Sequence, residues 1–138
     1  MRYELNLPYP VSANRYWRTA VVNGRVRTYR SKDANDYRKV VAWIAKENGL
    51  KAHDGDFKIA LELHQRLTKA KTASRVCLDI DNAIKVALDA LQGFLYKNDN
   101  QVIEIHAKYG KPKDRGGLTI IAENLTIKAQ REAENDHH

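Results

Sequence analysis

Three aspartates carry the spacing in this sequence that is best suited to metal chemistry. Asp79 and Asp81 stand two residues apart in the segment 78–82, and Asp99 follows within Asn98-Asp-Asn100. In an extended segment, side chains two residues apart point to the same side of the chain. Carboxylate oxygens are the hard ligands that Mg²⁺ and Mn²⁺ prefer. The spacing therefore predicts a site able to hold one or two Mg²⁺ ions, with Mn²⁺ as the alternative ion.

A helix is predicted directly after the first two acids, from about Asp81 to Gln92. At 100° per residue its apolar side chains share one face, and Lys85 lies on the polar side, one turn beyond Asp81. We therefore expect Lys85 within reach of Asp81, or of a phosphate bound to the same metal. Asp89 also lies on the polar side and is expected to be solvated helix surface. Asp99 precedes a predicted strand that is expected to return it to the same end of the sheet.

A structural interpretation of the same residues stays open. Asp-x-Asp is a common sequence, and Asp81 can simply cap the helix and pair with Lys85. Some phosphatases and sugar transferases also use Asp-x-Asp, but they need a larger nucleotide-binding or cap domain than 138 residues allow. Cys77 is expected to be a small buried residue. It does not have zinc-binding spacing with the scattered histidines, His53, His64 and His106.

Positive charge is concentrated in two parts of the chain. The chain has 24 Lys and Arg against 17 Asp and Glu, a formal net charge of +7, and residues 1–40 hold nine of the cations but three of the acids. Four further cations precede Asp79 with no acid after Glu62: Arg66, Lys69, Lys71 and Arg75. Surface cations can serve solubility alone. Beside a compact group of aspartates, however, they indicate an enzyme that holds phosphates and cuts them at metal-bound carboxylates.

The pattern of the chain predicts one α/β domain of the α+β type over residues 1–123, followed by a polar tail over 124–138 that carries no assigned role. Alternating apolar residues predict strands over 2–7, 57–65, 101–109 and 117–122. Asn23-Gly24 predicts a hairpin over residues 21–26, and Ser31 is the expected N-cap of a first helix that ends at Asn48-Gly49. The segment 68–77 is expected to be a mobile basic loop. We expect a mixed sheet packed by two main helices.

Composition narrows the setting in which the protein works. A single cysteine excludes an internal disulfide framework. No apolar run approaches the roughly 20 residues of a membrane span, and the N-terminus lacks the apolar core of a secretory signal. We therefore expect a location in the cytoplasm and no membrane partner.

Two stretches of the chain resemble the RusA family of Holliday-junction resolvases. Residues 7–18, Leu-Pro-Tyr-Pro-Val-Ser-Ala-Asn-Arg-Tyr-Trp-Arg, are similar to the family pattern Leu-Pro-x-Pro-x-Ser-x-Asn-x-x-x-Arg. Residues 79–91 resemble Asp-x-Asp-Asn-x-x-Lys-x-x-x-Asp-x-Leu, and residues 98–102 resemble the later Asp-Asp-x-Gln-Val. The order and separation of the motifs extend the likeness over residues 3–122.

The resemblance implies a homodimeric, Mg²⁺-dependent endonuclease of α/β fold that nicks four-way DNA junctions symmetrically. It also implies that the protein works in a bacterial or phage-infected cell, at the nucleoid through DNA. Asp79, Asp81 and Asp99 match the family's metal-binding catalytic aspartates, and Lys85 matches its functionally important lysine. Asn82 belongs to the same motif and is expected to support a carboxylate or the helix start. The N-terminal motif contributes residues expected to lie near the DNA: Asn14, Arg15 and Arg18. The chain departs from some members by having Asn98 in place of an aspartate and Val76-Cys77-Leu78 in place of an arginine run.

The predicted reaction is metal-assisted hydrolysis of a DNA phosphodiester. The aspartates hold the metal, and Lys85 orients the water or neutralises the phosphate. Phosphate contacts that do not depend on sequence are assigned to Arg15, Arg18, Arg66, Lys69, Lys71 and Arg75. Tyr16 and Trp17 either stack on unpaired bases or pack against the sheet. Two other functions remain open: a non-catalytic protein that binds branched or single-stranded DNA, and a metal-dependent nuclease that acts on flaps or RNA.

Overall fold

A computed structural model describes residues 2–74 and 77–125 of the chain. The strands are β1 (Arg2–Leu7), β2 (Trp17–Val22), β3 (Arg25–Arg30), β4 (Phe57–His64), β5 (Val102–Tyr109) and β6 (Gly117–Asn124). The helices are α1 (Ala13–Tyr16), α2 (Lys32–Glu47) and α3 (Ile80–Leu91), and a 3₁₀ turn (Asp99–Gln101) leads into β5. Arg75 and the tail beyond residue 125 lie outside the described residues.

Four strands form one mixed sheet in the order β1-β6-β4-β5. β6 runs antiparallel to both β1 and β4, whereas β5 runs parallel to β4. A parallel connection cannot be made by a tight turn, so the chain between β4 and β5 crosses over through α3. The predicted mixed sheet is confirmed, and the crossover places α3 between the two strands along the chain.

The core lies between the sheet and the two longer helices. Alternate residues of β4, from Phe57 to Leu63, are fully buried, as the period of two predicts. α3 covers them with three alanines and Leu91, and the small size of the alanines lets the helix lie close to the sheet. α2 packs beside α3 and against β1. Each large side chain buried in this way contributes about 1.5–3 kcal/mol to folding.

β2 and β3 form a hairpin that is a separate two-stranded sheet. At its turn, Asn23 (φ 51°) and Gly24 (φ 73°) both take the left-handed conformation that a type I′ turn requires. The predicted hairpin is confirmed, although its strands extend further than the predicted segment 21–26. The pairing begins at Trp17 with Arg30 and ends at Val22 with Arg25.

Local signals also predicted the helix ends. Ser31 caps α2, because its hydroxyl oxygen accepts a hydrogen bond from the Ala34 N–H at 3.1 Å. α3 begins at Ile80, one residue earlier than predicted. The four-residue helix α1 and the 3₁₀ turn before β5 were not predicted, because elements this short show no hydrophobic period. Within the part of the chain that the structure describes, no helix has the length and apolar character needed to span a membrane.

Candidate functional site

Asp79 and Asp81 lie together at the start of α3. Asp79 is the N-cap residue in extended conformation (φ −66°, ψ 150°), yet its side chain makes no capping hydrogen bond. Asp81 is in the first turn, and both residues are exposed. Among the described residues, neither carboxylate forms an ion pair or a side-chain hydrogen bond. The interpretation in which Asp81 caps the helix and pairs with Lys85 is therefore wrong, and both carboxylates are exposed and unpaired among the described residues.

Tyr109, the last residue of β5, stands beside these aspartates. Its hydroxyl donates a hydrogen bond to the Leu78 carbonyl at 3.0 Å. Partial burial raises the pKa of Tyr109, and the neighbouring Cys77 and the negative charges of Asp79 and Asp81 raise it further. The end of β5 and the start of α3 therefore meet at one end of the sheet. Cys77 itself is half-buried rather than buried as expected, and its thiol is free.

The N-terminal motif is held against the same helix end by two hydrogen bonds. The Asn82 side-chain oxygen accepts from the Ala13 N–H at 2.8 Å, and the Tyr9 hydroxyl oxygen accepts from the Leu78 N–H at 2.8 Å. Asn82 thus fixes the start of α1, which carries Asn14 and Arg15 as exposed residues. The two sequence motifs, joined by hydrogen bonds between residues 69 positions apart, form one surface.

A pocket of about 330 Å³ opens at the junction of the two motifs. It is lined by Tyr9, Pro10, Val11, Ser12, Arg15, Arg66, Cys77 and Leu78. The Arg66 guanidinium lies over the Tyr9 ring, 4.1 Å from its centre, which is a favourable cation–π position. The pocket is therefore positively charged and adjoins the exposed carboxylates. An arrangement of this kind suits a phosphate that approaches a metal-binding group.

The predicted phosphate contacts other than Arg66 are spread over the surface, and among them Arg15 also lines the pocket. Arg15 pairs with Asp33 (2.8 Å) and Lys71 with Asp114 (3.4 Å), both at exposed positions where such pairs contribute at most about 1 kcal/mol. Arg18 is exposed on β2, and Lys69 is exposed in the loop after β4. Arg75 cannot be placed, since it lies outside the described residues.

The structure does not bring Asp99 to Asp79 and Asp81 within one chain. The Asp99 N–H donates to the Gln92 side-chain oxygen at 3.1 Å, and Gln92 is the C-cap of α3. Asp99 therefore lies at the opposite end of the helix, about 18 Å away for twelve residues at 1.5 Å each. The expectation that β5 returns Asp99 to the same end of the sheet is wrong for a single chain. Asp99 lies before the first residue of β5, whereas Tyr109, which stands beside Asp79 and Asp81, is the last residue of that strand. The described residues contain no group of three acidic, histidine or cysteine side chains able to hold a metal ion.

Asp89 has a role that the sequence did not indicate. It accepts hydrogen bonds from the Tyr16 hydroxyl (2.5 Å) and from the Arg30 guanidinium (2.7 Å and 3.0 Å), and it lies 3.9 Å from the Arg38 guanidinium. Burial alone would raise the pKa of Asp89, but the contacts with Arg30, Tyr16 and Arg38 lower it overall. The expectation of a solvated Asp89 is wrong.

The same contacts correct the interpretation of the aromatic pair at 16–17. Tyr16 is completely buried and packs edge-on against Trp17, which is half-buried. Tyr16 is therefore unable to stack on a base. Because Asp89 binds both Tyr16 and Arg30, it joins the base of the hairpin to α3. An acidic residue on the polar side of a helix, with an arginine 59 residues earlier as partner, leaves no local signal in the sequence.

Comparisons with known proteins agree with the two motifs. The family model described as "Endodeoxyribonuclease RusA" matches residues 8–122. A protein of Escherichia coli (strain K12) named "Crossover junction endodeoxyribonuclease RusA" is 35% identical over 123 residues, covering 86% of this chain and 92% of the relative. Relatives of the same name from Escherichia coli O139:H28 and from Enterobacteria phage 82 are 32% and 34% identical, with the same coverage. The resemblance stated from the motifs is confirmed.

Proposed function

Because the chain belongs to the RusA family of endodeoxyribonucleases, we propose that it resolves four-way DNA junctions by paired symmetric nicks that depend on Mg²⁺. The observation that carries this proposal is the pair of uncommitted carboxylates at the start of α3, beside the positively charged pocket. We infer that the reaction takes place in the cytoplasm of a bacterial or phage-infected cell, where junction DNA is found.

The donor set at the start of α3 suits a hard divalent cation. Asp79 and Asp81 offer carboxylate oxygens, are exposed, and are not neutralised by any described cation. When bound there, Mg²⁺ would supply an activated water and charge stabilisation at the phosphate. Lys85, exposed one turn beyond Asp81, would neutralise the charge that develops on the phosphate. The Arg66 and Arg15 side chains at the pocket would hold the flanking phosphates.

A complete site needs a second copy of the chain. Asp79 and Asp99 are separated by the length of α3, so the third aspartate of the motif would have to come from a partner subunit. Homodimers are usually two-fold symmetric, and a two-fold dimer presents two equivalent sites to two equivalent strands of a junction. This symmetry fits a reaction that makes paired nicks.

β5 is the surface that would bring Asp79 of one protomer close to Asp99 of its partner. It forms one edge of the sheet as the described residues build it, and three of its apolar side chains are exposed: Ile103, Ile105 and Tyr109. An edge strand of this kind readily pairs with a further strand. Antiparallel pairing of β5 with its own copy would place the start of one strand beside the end of the other. The partner's Asp99 would then approach Tyr109, and with it Asp79.

The proposal is tested by incubating the protein and Mg²⁺ with labelled DNA of several shapes at one salt concentration. We expect nicking of a synthetic four-way junction, and little of duplex, flap or RNA hairpin. Asp79→Asn should abolish nicking while junction binding persists, and Asp36→Asn, at an exposed carboxylate on α2, should leave activity unchanged. A junction that is bound but never cut by the wild-type protein would make the protein a binder. Equal activity of the Asp79→Asn protein would disprove the metal assignment.

A further inference from the structure

The β2–β3 hairpin is attached firmly at its base. Arg30 binds Asp89, and the Ser31 hydroxyl donates to the Arg15 carbonyl at 2.6 Å. Trp17 packs on the buried Tyr16 ring, with 4.6 Å between the ring centres. Beyond this base, the two strands pair only with each other among the described residues. The hairpin is therefore an arm with a fixed base and a solvated outer half.

The arm has a strongly basic face. Residues 17–30 contain four arginines and no acid. In an antiparallel pair, directly opposed residues share a face and alternate along each strand. The register opposes Arg18 to Tyr29, Ala20 to Arg27 and Val22 to Arg25, so three arginines lie on one face. None of these three arginines forms an ion pair with a described residue, so their charges are available to an external anion.

The arm carries an exposed apolar pair close to its tip. Val21 and Val26 oppose each other one pair before the Val22–Arg25 pair that flanks the turn, and they are 71% and 70% exposed. They lie on the face opposite the three arginines, whereas Val22 lies on the arginine face. β-branched side chains have little rotamer freedom to lose on burial. Exposed, stiff apolar side chains on a basic element suit insertion between base steps, which partially unstacks the bases.

DNA fits this surface better than the other occupants. A second copy of the chain would bring its own arginines against the arm, and two valines offer far less than the 800 Å² that each partner usually contributes to a stable interface. An unbroken positive charge matches a polyanion, and an apolar wedge matches stacked bases. We propose that the β2–β3 hairpin is a DNA-binding arm that holds phosphates through Arg18, Arg25 and Arg27 and inserts the Val21–Val26 pair at the branch point. This inference rests on the proposed function, because it assumes a branched DNA substrate.

The experiment measures binding and base stacking rather than cutting. A junction carries 2-aminopurine beside the branch point, and all proteins carry Asp79→Asn, so that no DNA is cut. We expect the fluorescence of 2-aminopurine to rise on binding, because the base loses its stacking neighbour. Val21→Thr with Val26→Thr keeps the β-branched shape and should abolish the rise and weaken junction binding about tenfold, while duplex binding is unchanged. Val40→Thr, at an exposed valine on α2, is the matched control.

The arginine face has its own readout. Arg25→Gln with Arg27→Gln should weaken binding to junction and duplex alike. The slope of log Kd against log salt should fall by about 1.8, or 0.9 for each of two lost phosphate contacts. If the valine variant gave the same fluorescence rise and the same junction affinity as the protein with both valines, insertion of the valine pair would be disproved. It would also be disproved if the variant changed the oligomeric mass measured by light scattering but not junction binding or fluorescence. An unchanged salt slope would overturn the phosphate contacts. Failure of every protein to bind the junction would instead refute the proposed function.

Discussion

Asp79 and Asp99 lie at opposite ends of the same helix, with the twelve residues of α3 between them. β5 provides a second measure of the separation, since its first residue follows the turn that holds Asp99 and its last residue contacts Leu78, next to Asp79. Seven steps of a parallel strand at about 3.3 Å span about 23 Å. No side chain bridges this distance, so a site that uses both aspartates has to contain two protomers.

Mixing two inactive variants tests this directly. In a shared site, a heterodimer of Asp79→Asn and Asp99→Asn has one doubly defective site and one intact site. If the subunits exchange at random, about half of the dimers are mixed and about a quarter of the wild-type sites are restored. The products should be junctions nicked on one strand, measured by denaturing electrophoresis. Each variant alone is the control, and a mixture as inactive as its components would show that the aspartates do not act across subunits.

Loss of the Asn82 contact should weaken junction binding. Asn82→Ala removes the acceptor of the Ala13 N–H and loosens the segment that carries Asn14 and Arg15. A hydrogen bond of this kind contributes about 1 kcal/mol, so the junction Kd should rise about fivefold. Fluorescence anisotropy without metal measures the change. Asn35→Ala, at an exposed position on α2, is the matched control, and equal Kd values for the two variants would contradict the role given to Asn82.

Asp89 is expected to be a main source of stability for the hairpin base. Asp89→Asn removes the charge that accepts two hydrogen bonds from Arg30 and lies 3.9 Å from Arg38. Hydrogen bonds to charged groups contribute about 1.5–3 kcal/mol each. We expect the free energy of unfolding in urea to fall by about 2 kcal/mol. The exposed pair Lys32–Asp36 provides the control, because Asp36→Asn should change the free energy of unfolding by less than about 0.5 kcal/mol. Similar losses in both variants would argue against a special role for Asp89.

The pKa of Asp89 also predicts part of the pH dependence of stability. Its contacts lower the pKa in the folded state below that in the unfolded chain, which is about 3.9. Above the unfolded pKa the carboxylate is ionised in both states, and the stabilisation is complete. As the pH falls, the unfolded chain binds the proton first, and the stabilisation is lost by the time the pH passes below the folded pKa. Unfolding measured between pH 6 and pH 3 should therefore show a steeper acid loss in the wild type than in Asp89→Asn. Parallel curves would contradict the assignment.

Much of the fold follows from short stretches of sequence. Alternation from Phe57 to Leu63 predicts a strand with one buried face, because successive side chains point to opposite sides. Asn23-Gly24 predicts the hairpin, since these residues accept a positive φ. Ser31 predicts the start of α2 through its side-chain oxygen. In each case the cause lies within a few residues of the effect, so the sequence alone was sufficient.

The motifs likewise identified the family without the structure. Asp79, Asp81 and Lys85 were placed at the start of one helix by their spacing, and this placement is correct. The family assignment from the two motifs is confirmed by the family model over residues 8–122. Metal binding by the aspartates stays a prediction. Residue types and spacing indicate which side chains could be ligands, but they do not determine whether these side chains come together in space.

Only the tertiary structure decided which distant residues meet. The parallel pairing of β5 with β4 sends Asp99 to the far end of α3, and no residue near Asp99 specifies that direction. The burial of Asp89 between Tyr16 and Arg30 depends on how the hairpin packs against α3. The contact between Tyr16 and Asp89 joins residues 73 positions apart. Such contacts result from the burial of whole faces of the sheet and helices, a property of the complete chain that no local pattern contains.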